Sequence, residues 1–123
     1  MKKLSSLFYA LACITAFSCM HNDRDVDITL NESDHYYSMK AYFSKSKTRD
    51  VERYMDSRIG RRSKMSFVNS QIDGKLALDD HTTFYIKKSP GLLKIKLDKA
   101  ENSEEAYEKI RSMCEGIKKV LAN

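Results

Sequence analysis

The stretch TTFYIKKSPGLLKIKLD, residues 82–98, decides the fold. Phe84 and Ile86 alternate with Tyr85 and Lys87; past Ser89-Pro90-Gly91, Leu93, Ile95 and Leu97 alternate with Lys94 and Lys96. A strand sends successive side chains to opposite faces, so Thr82–Lys88 and Leu92–Asp98 each have one apolar and one wet face. Pro fixes φ and Gly accepts positive φ, which is turn chemistry. Two strands joined by so short a turn pair antiparallel.

Downstream, Ala106, Tyr107, Ile110, Met113, Cys114, Ile117, Val120 and Leu121 recur at helical spacing and form one apolar stripe. Asn102 with Glu105 three residues on reads as a capping box, and Glu105–Lys109 and Glu115–Lys119 read as supporting pairs. Gly116 interrupts that helix without an evident local reason. Upstream, Val26–Asn31 and Tyr36–Phe43 alternate as strands around the turn residues Asn31–His35. Tyr37, Met39, Ala41 and Phe43 share one face of the second; Tyr36, Ser38, Lys40 and Tyr42 share the other. A helix is expected over Thr48–Ile59, with Val51, Tyr54, Met55, Arg58 and Ile59 toward the core, Arg49, Glu52, Arg53 and Asp56 toward water, and Gly60 as the stop. Arg61, Arg62 and Lys64 then complement the negative helix end.

Residues 66–78 admit two readings. Asp73-Gly74 is a hairpin signal, but that turn would put Ile72 and Leu76 on opposite faces. One long strand puts Val68, Ile72, Gly74, Leu76 and Leu78 on a single face, with Gly74 at a bulge or bend, and is preferred. The order ββ-α-βββ-α, with short connections and two one-sided helices, predicts an α+β fold: a two-layer sandwich with an antiparallel sheet of about five strands and both helices on one face.

The 123 residues allow one ordinary domain, placed at 26–123, and a composition of 41% hydrophobic against 32% charged residues excludes a disordered chain. The N-terminus is an address. Lys2 and Lys3 precede an apolar run from Leu4 to Phe17 that ends at Ser18-Cys19. A basic start, an apolar middle and a small residue before the cut describe a secretory signal over 1–18. The run falls short of the ~20 residues a bilayer span needs.

Ala16-Phe17-Ser18-Cys19 resembles the lipobox of bacterial prolipoproteins, in the looser Ser-Cys form of Bacteroidota lipoproteins; Ala16 stands where the usual Leu would. The resemblance covers the first 19 residues and implies that Cys19 is lipidated, a diacylglycerol on its sulfur and a third acyl chain on its freed amine. It implies a protein of the cell envelope, held to the outer membrane through that lipid, with 19–25 as a tether. Phe84–Gly91, Leu93–Lys99 and Cys114-Glu115-Gly116 also look like small envelope proteins of the same bacterial group, from which no activity carries over. With Cys13 removed and Cys19 acylated, Cys114 is left alone as a buried small hydrophobe; under simple secretion, Cys19 and Cys114 could instead pair.

Losing residues 1–18 removes two lysines and leaves 20 basic against 17 acidic residues, a net charge of +3. That is no nucleic-acid footprint. No phosphate-cradling Gly loop, G-x-S-x-G, H-E-x-x-H or C-x-x-C is present, and no cofactor is expected. Asp23, Asp25 and Asp27 are spaced as in a calcium loop, but Ile28 and Asp34 stand where the loop needs Gly and Glu, so no metal is expected there. Two chemistries remain. Tyr85, Lys87, Lys94 and Lys96, joined by Tyr36, Lys40 and Tyr42, point away from the helices and suit an anionic ligand, an acidic glycan or an envelope protein surface. The turn Asp79-Asp80-His81 is the alternative, as the centre of a small hydrolase or metal-dependent enzyme. A non-catalytic, lipid-anchored binding or structural module is the expected function.

Overall fold

The computed structural model describes residues 26–60 and 66–122. The leader, Cys19, the tether with Asp23 and Asp25, and the basic cluster Arg61, Arg62 and Lys64 lie outside the described residues. Five strands, β1 (Asp27–Glu32), β2 (Tyr36–Tyr42), β3 (Ile72–Ala77), β4 (Thr83–Ser89) and β5 (Leu92–Asp98), form one antiparallel sheet in the order β1-β2-β5-β4-β3. Helices α1 (Thr48–Met55), entered through a 3-10 turn (Lys45–Lys47), and α2 (Glu104–Ala122) cover one face. This is the expected α+β sandwich. Strand parity fills its core: Tyr37, Met39 and Ala41 from β2, Phe84 and Ile86 from β4, and Leu93, Ile95 and Leu97 from β5 are buried together with Val51 and Met55 of α1 and Ile110, Met113, Cys114 and Ile117 of α2.

The β4–β5 turn locks this layer to α1. Gly91 has φ 79°, its N–H donates to Thr48 Oγ1 at 2.9 Å, and its carbonyl accepts from Phe43 N at 3.0 Å. A Cβ there would stand 2.9 Å from Phe43 O.

Several local expectations change. α1 ends at Met55 and runs on as a wider turn (Asp56–Gly60), in which Arg58 is exposed and donates to Ser112 Oγ at 3.0 Å. Glu52 is not on the wet side: it is buried, and its carboxylate accepts from Lys88 Nζ at 2.5 Å and from Asn69 N at 3.1 Å. Asp56 accepts from Phe67 N at 2.6 Å and Ser66 Oγ at 2.8 Å. These two carboxylates explain why the strand begins only at Ile72. They take up the backbone of 67–69, Asn69 turns with φ 60°, and Phe67 drops into the core. The Asp73-Gly74 hairpin does not form; Asp73 pairs with Lys87 and Gly74 with Ile86 in unbroken register, so Gly74 marks no bulge.

At α2 the cap is Ser103, whose Oγ accepts from Ala106 N at 3.0 Å. Asn102 instead ties the ends of β4 and β5: Oδ1 accepts from Thr83 N at 2.9 Å, while Nδ2 donates to Thr83 O at 3.0 Å and Asp98 O at 2.9 Å. A primary amide offers two donors beside its acceptor, and all three are used at these part-buried strand ends; a hydroxyl has only one donor. The expected i,i+4 pairs are replaced. Lys109 pairs with Asp80, Arg111 with Glu108 at 3.0 Å, and Lys118 with Glu115 at 3.7 Å. Gly116 gains its reason, since a Cβ there would lie 1.7 Å from the Tyr54 hydroxyl of α1.

Two glycines should respond oppositely to alanine. Gly91→Ala forces a side chain into positive φ against a carbonyl and should cost about 2 kcal/mol. Gly74→Ala meets nothing within 4 Å and should add about 0.5–1 kcal/mol. Urea denaturation of both variants checks the contrast; equal shifts would contradict it.

Candidate anion-binding face of the sheet

The face that the helices leave open carries the other half of every strand. β2 contributes Tyr36, Ser38, Lys40 and Tyr42; β5 contributes Lys94, Lys96 and Asp98; β4 contributes Tyr85 and Lys87; β3 contributes Asp73 and Lys75. Register arranges them in rows. One row runs Thr29, Lys40, Lys94, Lys87, Asp73 and the next runs Asn31, Ser38, Lys96, Tyr85, Lys75. Lys40, Lys94 and Lys87 therefore stand side by side on three adjacent strands, about 5 Å between neighbours. Like charges directly opposite one another destabilise a sheet. Among the described residues, none of Lys40, Lys87, Lys94 and Lys96 has a carboxylate at ion-pair distance, whereas Lys75 pairs with Glu101 at 2.9 Å.

Tyrosines flank the row. Lys96 Nζ sits 4.3 Å from the centre of the Tyr36 ring and Lys40 Nζ 6.0 Å from that of Tyr42. Tyr36 and Tyr42 are 42% and 46% exposed, which leaves ring surface open to a planar or sugar ring. Tyr85 donates to Asp73 Oδ1 at 2.7 Å, and that carboxylate raises the phenol above the usual tyrosine value. The bond also draws Asp73 toward Tyr85, although Asp73 is the cross-strand neighbour of Lys87. A depression of about 210 Å³ lies between Tyr36, Tyr85, Lys75, Lys96, Asp98 and Glu101. With five lysines against Asp27, Asp73 and Asp98, the face is net positive.

Strand parity thus brings Tyr85, Lys87, Lys94 and Lys96 together with Tyr36, Lys40 and Tyr42 as expected. The second candidate is a surface turn. Asp79, Asp80 and His81 form an exposed turn in which His81 has φ 70°, its N–H donates to Leu78 O at 2.9 Å, and Asp80 Oδ1 accepts from Thr82 N at 3.1 Å. The other Asp80 oxygen pairs with Lys109 of α2, so that carboxylate fastens the turn to the helix. Among the described residues, no group of three or more His, Cys, Asp and Glu is placed to hold a metal.

Lys88 went unread. It shares parity with Phe84 and Ile86, the one available signal, and is 2% exposed beside Glu52. Cys114 is buried in the core, where burial pushes its thiol up to about 12; a bridge from Cys19 would have to reach a sulfur closed inside α2's packing. Comparison with protein-family models, curated proteins and solved structures found no match to the chain. No described helix is long and apolar enough to cross a membrane.

Two measurements test these assignments. The Lys109 ammonium holds the Asp80 carboxyl down at about 2, below its usual 3.8. A carboxyl with a lowered folded pKa contributes stability above its unfolded pKa and loses it as pH falls toward the folded one. Lys109→Met should cost about 0.2–1 kcal/mol at neutral pH, the range for a pair this exposed. The gap from wild type should close between about pH 4 and pH 2; a pH-independent gap would assign Lys109 a packing role only. Separately, Cys114 should resist iodoacetamide in the folded chain and react once urea unfolds it, as peptide mass spectrometry would report. Rapid labelling of the folded chain would contradict its burial.

Proposed function

We propose that this chain is a lipid-anchored, non-catalytic binding module of the bacterial cell envelope, and that its open sheet face holds an acidic glycan. The observation that carries the reading is the row Lys40, Lys94, Lys87: three unneutralised cations on adjacent strands, which an anion bridging them would relieve. A polymer with a carboxylate on successive sugars supplies anions at comparable spacing, and the exposed Tyr36 and Tyr42 rings can stack on its sugar rings. The extended, shallow form of the face suits a chain lying across it better than a small enclosed ligand. Cys19 supplies the anchor: each buried CH₂ of its acyl chains contributes about 0.8 kcal/mol, so two or more chains hold firmly. The hydrolase or metal-enzyme reading through Asp79, Asp80 and His81 carries less, because Asp80 already serves Lys109.

Cys19→Ala should shift the protein from the membrane pellet to the soluble fraction, and a variant that still sediments with membranes would remove the anchor. For the face, polyuronate binding to the intact protein in detergent should weaken about tenfold on Lys94→Glu, as expected for reversing one of three converging charges. It should vanish in 1 M salt, where the Debye length is about 3 Å. Binding unchanged by that reversal, or equally tight binding of neutral dextran, would overturn the glycan reading.

A further inference from the structure

A cavity of about 480 Å³ opens between the Lys45–Lys47 turn, the first turns of α1 and the loop entering β3, and uses none of the residues of the sheet face. Its volume falls within the roughly 300–1,000 Å³ of small-molecule sites. The lining residues are polar or charged except for Pro90, and their aliphatic stems supply about half of the wall, as suits a molecule that carries both polar groups and a carbon skeleton. Lys45 and Arg49 stand four residues apart on one continuous helical run, so their charges share one face and repel. Among the described residues neither has an ion-pair partner.

Glu52 also lines this cavity, although it is a buried carboxylate. Lys88 Nζ bonds one of its oxygens at 2.5 Å and Asn69 N the other at 3.1 Å. A carboxylate accepts up to about four hydrogen bonds, so acceptor capacity is left for a ligand. Burying such a pair is a costly way to join a helix to a sheet. Its placement at this cavity gives the pair a use beyond the join: a fixed acceptor whose charge is already balanced, lining the same cavity as two exposed cations.

We infer that this cavity binds a small hydroxylated molecule bearing one oxyanion, a sugar acid or a sugar phosphate. Lys45 and Arg49 take the oxyanion; Glu52 and the Asn69 and Gln71 amides take the hydroxyls. Calorimetric titration of the intact protein in detergent with glucuronate, glucose 6-phosphate and glucose tests this. At least one of the two acids should bind at least about tenfold tighter than glucose, and Arg49→Glu should cancel that preference. Preference for glucuronate assigns a carboxylate and preference for glucose 6-phosphate a phosphate; either supports the site. Arg49→Gln, which leaves a neutral hydrogen-bonding side chain at an exposed position, should also weaken binding if the arginine charge acts directly. Lys94→Glu on the sheet face should leave these affinities unchanged, which separates this site from the polyuronate face. Equal affinity for all three probes, no heat from any of them, or acid binding that survives both Arg49 variants would overturn the inference.

Discussion

The buried pair of Lys88 and Glu52 joins the two layers of this molecule at one point. Lys88 faces inward because β4 alternates, and nothing in a strand lets one residue of that parity escape the core. An ammonium closed off from water is tolerable only beside a fixed counter-charge. Glu52, one turn into α1, supplies it, and Ser70 O accepts a second hydrogen bond from the same ammonium. The pair therefore sets the position of α1 over β4, holds the loop that precedes β3, and leaves Glu52 at the wall of the cavity it shares with Lys45 and Arg49. Asp56 repeats the pattern one turn later by taking the Phe67 amide, so a single helix edge organises an otherwise irregular segment.

The same alternation that traps Lys88 inside sorts the chemistry of the rest. Apolar residues of β2, β4 and β5 meet the helices, and lysines and tyrosines are left on the far side. A polar outer face is ordinary for an antiparallel sheet. Cross-strand neighbours of like charge are not, since each such pair opposes the fold it sits on. Lys40 beside Lys94 and Lys94 beside Lys87 amount to two such oppositions in one row, while Lys75, Lys99 and Lys109 all have carboxylate partners. The contrast between neutralised and unneutralised lysines on one small domain is what gives the open face its proposed role.

Alternation within an element was legible and interactions between elements were not. Leu93, Ile95 and Leu97, or the stripe from Ala106 to Leu121, declare their face without reference to anything else in the chain, and the sandwich follows from them. The membership of Tyr85, Lys87, Lys94 and Lys96 in one face was legible for the same reason. That Lys40 lies beside Lys94 depends on β2 choosing β5 as its neighbour, a long-range pairing that no local pattern encodes. Glu52 looked like a wet-side residue because its counter-charge comes from a distant strand. Gly116 looked arbitrary because the Tyr54 ring that excludes a side chain there belongs to the other helix. Asn102 gave up the expected cap to Ser103 because the strand ends use all three hydrogen-bonding groups of its amide, while the helix needs only a hydroxyl acceptor.

The pair at the centre of this arrangement is open to a direct energetic test by a double-mutant cycle over Glu52→Leu and Lys88→Met in urea denaturation. Each single replacement strands a buried charge and should cost about 3–5 kcal/mol. The double replacement restores an apolar contact and should cost less than either single change, giving a large favourable coupling. Losses that simply add, with the double variant the least stable of the three, would show that Lys88 and Glu52 act independently and that the layers are joined elsewhere.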